Sequence, residues 1–134
     1  MDPYQVPKSK LATESQQQPK SLPAIYTLLA ISFVFVLFES LVNMAREGQN
    51  FFDVVNYIFV LVWLGVLMWF GNDISRGRHN PKWLMLFLSL VVPCMAAYDY
   101  QGIASTMLNI GETICYLLIF AVLQKPEYTL WFKQ

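Results

Sequence analysis

The sequence predicts an all-α, polytopic membrane protein: a bundle of four transmembrane helices with both chain termini on the cytoplasmic side. Three observations lead there. Hydrophobic residues make up 56% of the chain and charged residues 13%, against roughly 25% charged in soluble domains. The apolar residues fall in long blocks instead of alternating with polar ones, and a soluble domain of 134 residues cannot hide so much apolar surface. The basic residues, finally, are distributed unequally between alternate loops.

Four blocks are predicted as spans, at about 23–44, 54–71, 83–98 and 104–123. A hydrocarbon core about 30 Å thick needs roughly 20 helical residues, which the first, second and fourth supply. The third is short and contains Pro93, whose ring frees a backbone carbonyl; Ser89 and neighbouring helices are the expected means of satisfying it. The first block exceeds the roughly 7–15 apolar residues of a secretory signal, and "VNMAREG" offers no small-residue cleavage site, so it is expected to remain as an anchor. Residues 1–22, rich in Pro, Gln, Ser and Lys, bury too little to offset the entropy of ordering and are expected to form a disordered cytoplasmic tail. Residues 125–134 form a second cytoplasmic tail after the transmembrane domain, 23–124.

Orientation follows from the loops. Of nine lysines and arginines, all but Arg46 fall in the N-terminal tail, in the loop "NDISRGRHNPK" between the second and third blocks, or in the C-terminal tail. These three regions share one side of a four-span bundle, and the positive-inside rule makes that side cytoplasmic. Aromatic residues mark the two boundaries: Trp69, Phe70, Trp83, Trp131 and Phe132 on the inner side, Phe51, Phe52, Tyr98 and Tyr100 on the outer.

With this threading the acids become informative. Glu39, Glu47, Asp53 and Asp99 all fall on or near the outer side. Either acids are simply indifferent to the rule that excludes Lys and Arg there, or they form a vestibule that concentrates cations. Glu112 lies within a turn of the midplane, where an ionised acid costs on the order of 2.5–3.5 kcal/mol. Thr106, Asn109, Thr113 and Tyr116 recur at helical spacing, with Glu112 on the edge of that stripe and Ile110, Ile114, Leu117 and Leu118 opposite. The polar face should turn toward other helices, with Asn56, Ser40, Asn43 and Ser89 as candidate partners. No Lys, Arg or His occurs in any span. A neutral, hydrogen-bonded Glu112 resolves this, acting as interhelical glue, as a proton- or cation-handling group, or as part of a docking face.

Other signals exclude more than they propose. The net charge is zero, with no basic patch for nucleic acid. His79 has no second ligand at metal spacing, and Cys94 and Cys115 read as small buried hydrophobes, so no metal or cofactor is expected. No nucleophile–base set, phosphate-binding glycine loop or carboxylate pair marks an enzyme. Gly65 and Gly111 read as packing aids.

The start "DPYQVPKSKL" resembles the N-P-Y-x-x-P opening of many small, uncharacterised four-span bacterial inner-membrane proteins, with Asp2 where Asn is usual, and "LWFKQ" is similar to their W-F endings. That resemblance implies a bacterial inner-membrane location and no activity. Four spans with an embedded glutamate also resemble the small multidrug resistance transporters, homodimers that exchange protons for aromatic cations. Their essential glutamate lies mid-membrane in the first helix, whereas here Glu39 is nearer the outer surface and Glu112 is on the fourth, so neither inherits the role. Immunity proteins against pore-forming bacteriocins are similar in size and span count. The expected function is therefore that of an accessory or protective protein acting through intramembrane helix contacts with itself or another membrane protein. The alternative is a homodimeric, proton-coupled carrier of small cations using Glu112.

Overall fold

The computed structural model describes residues 18–47, 51–98 and 102–132, the side chains of 47 and 51–53 excepted. Among the described residues there are five helices: α1 (Leu22–Glu47), α2 (Phe51–Ser75), α3 (Lys82–Tyr98), α4 (Ile103–Leu123) and the short α5 (Pro126–Trp131). Three segments are long and apolar enough to cross a membrane, Leu22–Arg46, Val54–Ser75 and Ile103–Leu123, while Lys82–Tyr98 is a shorter apolar helix. The protein is thus all-helical, with the character of a membrane protein.

Each long helix buries a narrow stripe and leaves the rest apolar and exposed, the pattern expected when lipid and not water is the surrounding medium. On α1 the stripe is Leu22, Ile25, Leu29, Ser32 and Val36, continued by Glu39 and Asn43; on α4 it is Ser105, Asn109, Glu112, Tyr116, Ile119 and Leu123. On α2 it is Asn56, Val60, Trp63, Leu67, Phe70 and Ile74, and on α3 Met85, Ser89, Val92 and Ala96. All four alternate steps of three and four, the seam spacing of helices packed at a shallow angle. Opposite these seams, Leu61, Met68, Phe87, Leu90 and Met107 are exposed.

α1 packs against both α4 and α2, and α4 against α3, whereas α2 and α3 make at most marginal contact. One side of the bundle is therefore loosely closed. Close approach is set by two glycines. A Cβ on Gly111 would meet the Phe35 ring at 2.8 Å, and one on Gly71 would meet the Tyr26 ring at 2.9 Å. Tyr26 also donates its hydroxyl to the Gly71 carbonyl at 3.1 Å. Gly65, by contrast, faces open space and aids no packing, because it sits on the outward face of α2.

The core is polarised along the bundle axis. Toward the α5 end it is apolar, with Ile25, Ile74, Met85, Ile119 and Leu123 at 0–1% exposure. Residues 126–132 contribute to it. Pro126 starts α5, Glu127 sits in its first turn, and Tyr128 is fully buried. Trp131 Nε1–H donates to the Ile74 carbonyl at 2.8 Å, meeting one of the carbonyls left over at the end of α2. Ser21 donates to Glu127 and lies beside the Tyr128 hydroxyl, so the start of α1 and α5 clasp one another. Ser21 and Leu22, placed in the tail by hydropathy, belong to this packed end.

Several expectations are corrected by packing. Phe70 lies in the core, not at an interface, and Cys94 is exposed while Cys115 is buried. Pro93 is accommodated inside α3, but Ser89 does not serve the carbonyl it frees. The Ser89 hydroxyl donates instead to Leu86 O at 2.7 Å, one turn back in its own helix. His79 pairs with the buried Asp73 at 3.2 Å and closes the turn after α2.

Candidate functional site

Asp73 apart, the buried acid and amide side chains among the described residues gather away from the α5 end, in two layers. The first is centred on Glu112, 4% exposed at the middle of the α4 seam. Tyr116 Oη, one turn on, donates to Glu112 Oε1 at 2.6 Å and accepts from Trp63 Nε1 at 3.2 Å. Trp63 lies on α2, so this short chain ties α2 to α4 across the bundle. Burial explains the arrangement: an acid so placed must be held by donors, and each donor must itself be satisfied.

The second layer lies nearer the α1–α2 connection. Glu39, half-buried on α1, accepts from Ser105 Oγ at 2.7 Å and from Asn109 Nδ2 at 2.8 Å. Both donors come from α4 and both use the same carboxyl oxygen, Oε1. Beside them Asn56 Nδ2 of α2 donates to Ser40 Oγ of α1 at 2.7 Å. These groups border a cavity of about 260 Å³ walled by all four long helices: Glu39, Ser40 and Asn43 of α1, Asn56 and Phe59 of α2, Met95 of α3 and Asn109 of α4. Asn43 Oδ1 is buried there with no hydrogen-bond partner among the described residues. Glu112 does not line it.

The predicted polar stripe on α4 is thus displaced by one position. Asn109 and Tyr116 belong to the seam, but Thr106 and Thr113 do not. Their hydroxyls bond back to Gly102 O and Asn109 O of their own helix, both within 2.9 Å, which threonine does readily in helices. Glu112 sits at the centre of the buried face, not its edge. Of its expected partners, Asn56 and Ser40 bond one another and Ser89 its own backbone; Tyr116 takes the place of all of them. The outer-side acids separate: Glu39 is part of the polar core, while the side chains of Glu47 and Asp53, and Asp99 altogether, lie outside the described residues. Ser105, 3% exposed, was not singled out by the sequence, since a lone serine in an apolar block carries no signal of its own. Among the described residues no cluster of His, Cys, Asp and Glu has the makings of a metal site.

No protein-family model matches the chain, and neither a curated protein nor a solved structure matches it.

Proposed function

We propose that the protein is a non-catalytic membrane protein, of accessory or protective type, that works by binding a membrane-embedded partner at its polar cavity. In this reading all four long helices cross a bacterial inner membrane, with both termini inside. Among the described residues, Lys20, Arg76, Arg78, Lys82 and Lys125 lie at the α5 end and Arg46 at the other, which supports that orientation. The 17 residues of α3 extend about 25 Å, a mismatch that local thinning of the bilayer accommodates at modest cost.

The observation that carries the proposal is the contrast between the two acids. Glu112 is enclosed and engaged by Tyr116, and does not line the polar cavity. Glu39 borders that cavity, with both of its hydrogen bonds among the described residues on Oε1 and the Asn43 acceptor, unpartnered among them, beside it. A carrier that cycles protons on Glu112 needs that carboxyl to meet its cargo, so the geometry favours Glu112 as glue and Glu39 as the recognition group.

Photo-crosslinking in native membranes tests this. A benzophenone side chain replaces Phe59 or Met95, beside the cavity, and Met107, on the outward face of α4, serves as control. A discrete protein adduct is expected at the first two positions and lipid adducts at the third. Lipid adducts alone at all three positions refute the reading.

A further inference from the structure

Resting on that reading, we infer that the occupant of the cavity is a transmembrane helix of another protein that carries a lysine in its outer half, docked along the loose side between α2 and α3. Three observations on independent parts of the molecule lead to it.

The first is the opening. α2 and α3 hardly touch, and the cavity between them is bordered on that side by Phe59 and Met95, which are 57% and 68% exposed. A side chain arriving from within the bilayer has only two flexible side chains to displace. The second is the chemistry. Among the described residues, the two hydrogen bonds to the Glu39 carboxyl both fall on Oε1, and Asn43, one helical turn further along α1, presents a buried Oδ1 with no partner. Both are acceptors. An ammonium group offers three donors and accepts nothing, so it satisfies the two together. About 260 Å³ is several times the roughly 30 Å³ share of one water molecule and admits a four-carbon stem with its ammonium head.

The third is the source of the charge. Residues 23–44, 54–71, 83–98 and 104–123 contain no Lys, Arg or His. Arg46 closes the apolar segment Leu22–Arg46, seven residues or about 10 Å along α1 from Glu39, and is already engaged in an interaction of its own. A second copy therefore cannot supply the cation at the depth of Glu39, eight residues or about 12 Å before the end of α1. The partner must be a different chain. Its lysine gains as well, because an ammonium within the bilayer is costly unless paired.

The test uses the full-length protein in nanodiscs and synthetic 21-residue polyleucine helices bearing one lysine, about 12 Å from the outer end, or leucine in its place. Binding is read by energy transfer between a donor on the protein and an acceptor on the peptide. The lysine peptide is expected to bind at least tenfold more tightly than the leucine peptide. Glu39→Gln, which keeps the two bonds from Ser105 and Asn109, should abolish that preference, and Asn43→Leu should reduce it. Circular dichroism confirms that each variant is folded. Equal binding of the two peptides, or a preference that survives Glu39→Gln, overturns the inference. So does n-butylammonium alone saturating the cavity as tightly as the lysine peptide, since the site would then serve free amines. If crosslinks to a native protein form at Phe59 and Met95 while the lysine preference is absent, the partner-binding reading stands and only the lysine assignment falls.

Discussion

Replacing Tyr116 with Phe deletes one oxygen from the most enclosed polar layer and leaves the ring in place. That oxygen takes part in two hydrogen bonds, to Glu112 Oε1 at 2.6 Å and from Trp63 Nε1 at 3.2 Å. Hydrogen bonds between groups inside a membrane protein are worth about 0.6 kcal/mol on average and at most about 1.7. Two losses therefore give about 1–3 kcal/mol. The upper half of that range is expected, because the shorter bond ends on a buried carboxyl group that has no other donor among the described residues. Unfolding in mixed micelles titrated with dodecyl sulfate, followed by far-ultraviolet circular dichroism, measures it. Trp63→Phe removes only the second bond and should cost about 1 kcal/mol or less, and the double variant should cost less than the sum of the singles, since one bond is shared. If Tyr116→Phe shifts stability by under about 0.5 kcal/mol, the range of substitutions that touch nothing, Tyr116 does not secure Glu112. The argument that Glu112 is structural then fails.

The glycines give a matched pair. Gly111→Val drives a side chain into the Phe35 ring, which a Cβ alone would meet at 2.8 Å, and should cost about 1–3 kcal/mol; Gly65→Val meets nothing within 4 Å and should be neutral in the same titration. At the α5 end, the Tyr128 phenol is pushed above its ordinary value by burial, against the opposing Ser21 hydroxyl and with the help of Glu127 and Tyr26. A raised value means the folded state favours the neutral phenol, so its contribution is complete below the unfolded value of about 10 and is lost as pH rises through the folded one. The stability difference between wild type and Tyr128→Phe should be flat below pH 10 and shrink above it; a difference that grows with pH contradicts the sign.

The positions of the long helices were legible because hydropathy alone decides which stretches tolerate lipid. The phase of the polar seam on α4 was not. The stripe through Thr106, Asn109, Thr113 and Tyr116 and the observed one through Ser105, Asn109, Glu112 and Tyr116 share two residues and differ by a single position at the others, closer than helical periodicity can resolve over three turns. The deciding physics is that a threonine can satisfy itself on the carbonyl four residues back, as Thr106 and Thr113 do, while a glutamate at this depth cannot. Block length alone sets Glu39 five residues from the end of the first span at Met44, whereas α1 continues to Glu47, three residues further. For α5 the local signs were present, with Pro126 at the first turn and Glu127 following. Six residues are too few to hold a helix alone, and only the burial of Tyr128 and the Trp131 bond to Ile74 explain why one forms.

The polarisation of the core separates what holds the bundle together from what gives it specificity. At the α5 end Ile25, Ile74, Met85, Ile119, Leu123 and Tyr128 are almost wholly enclosed, and the packing there draws on α1, α2, α3, α4 and α5 together. Inside a membrane such packing, more than hydrophobic transfer, keeps helices associated. The Glu112–Tyr116–Trp63 layer bounds this scaffold. Beyond it hydrogen bonds also join the helices, two of them meeting on one oxygen of Glu39, and a cavity lies between them. A polar cavity among apolar helices contributes less to stability than a packed core, and it lies at the end where the scaffold does not depend on it, which is consistent with the binding role proposed for it. Under that proposal, substitution at residues 39, 43 and 56 should alter what is bound without loosening the α5 end.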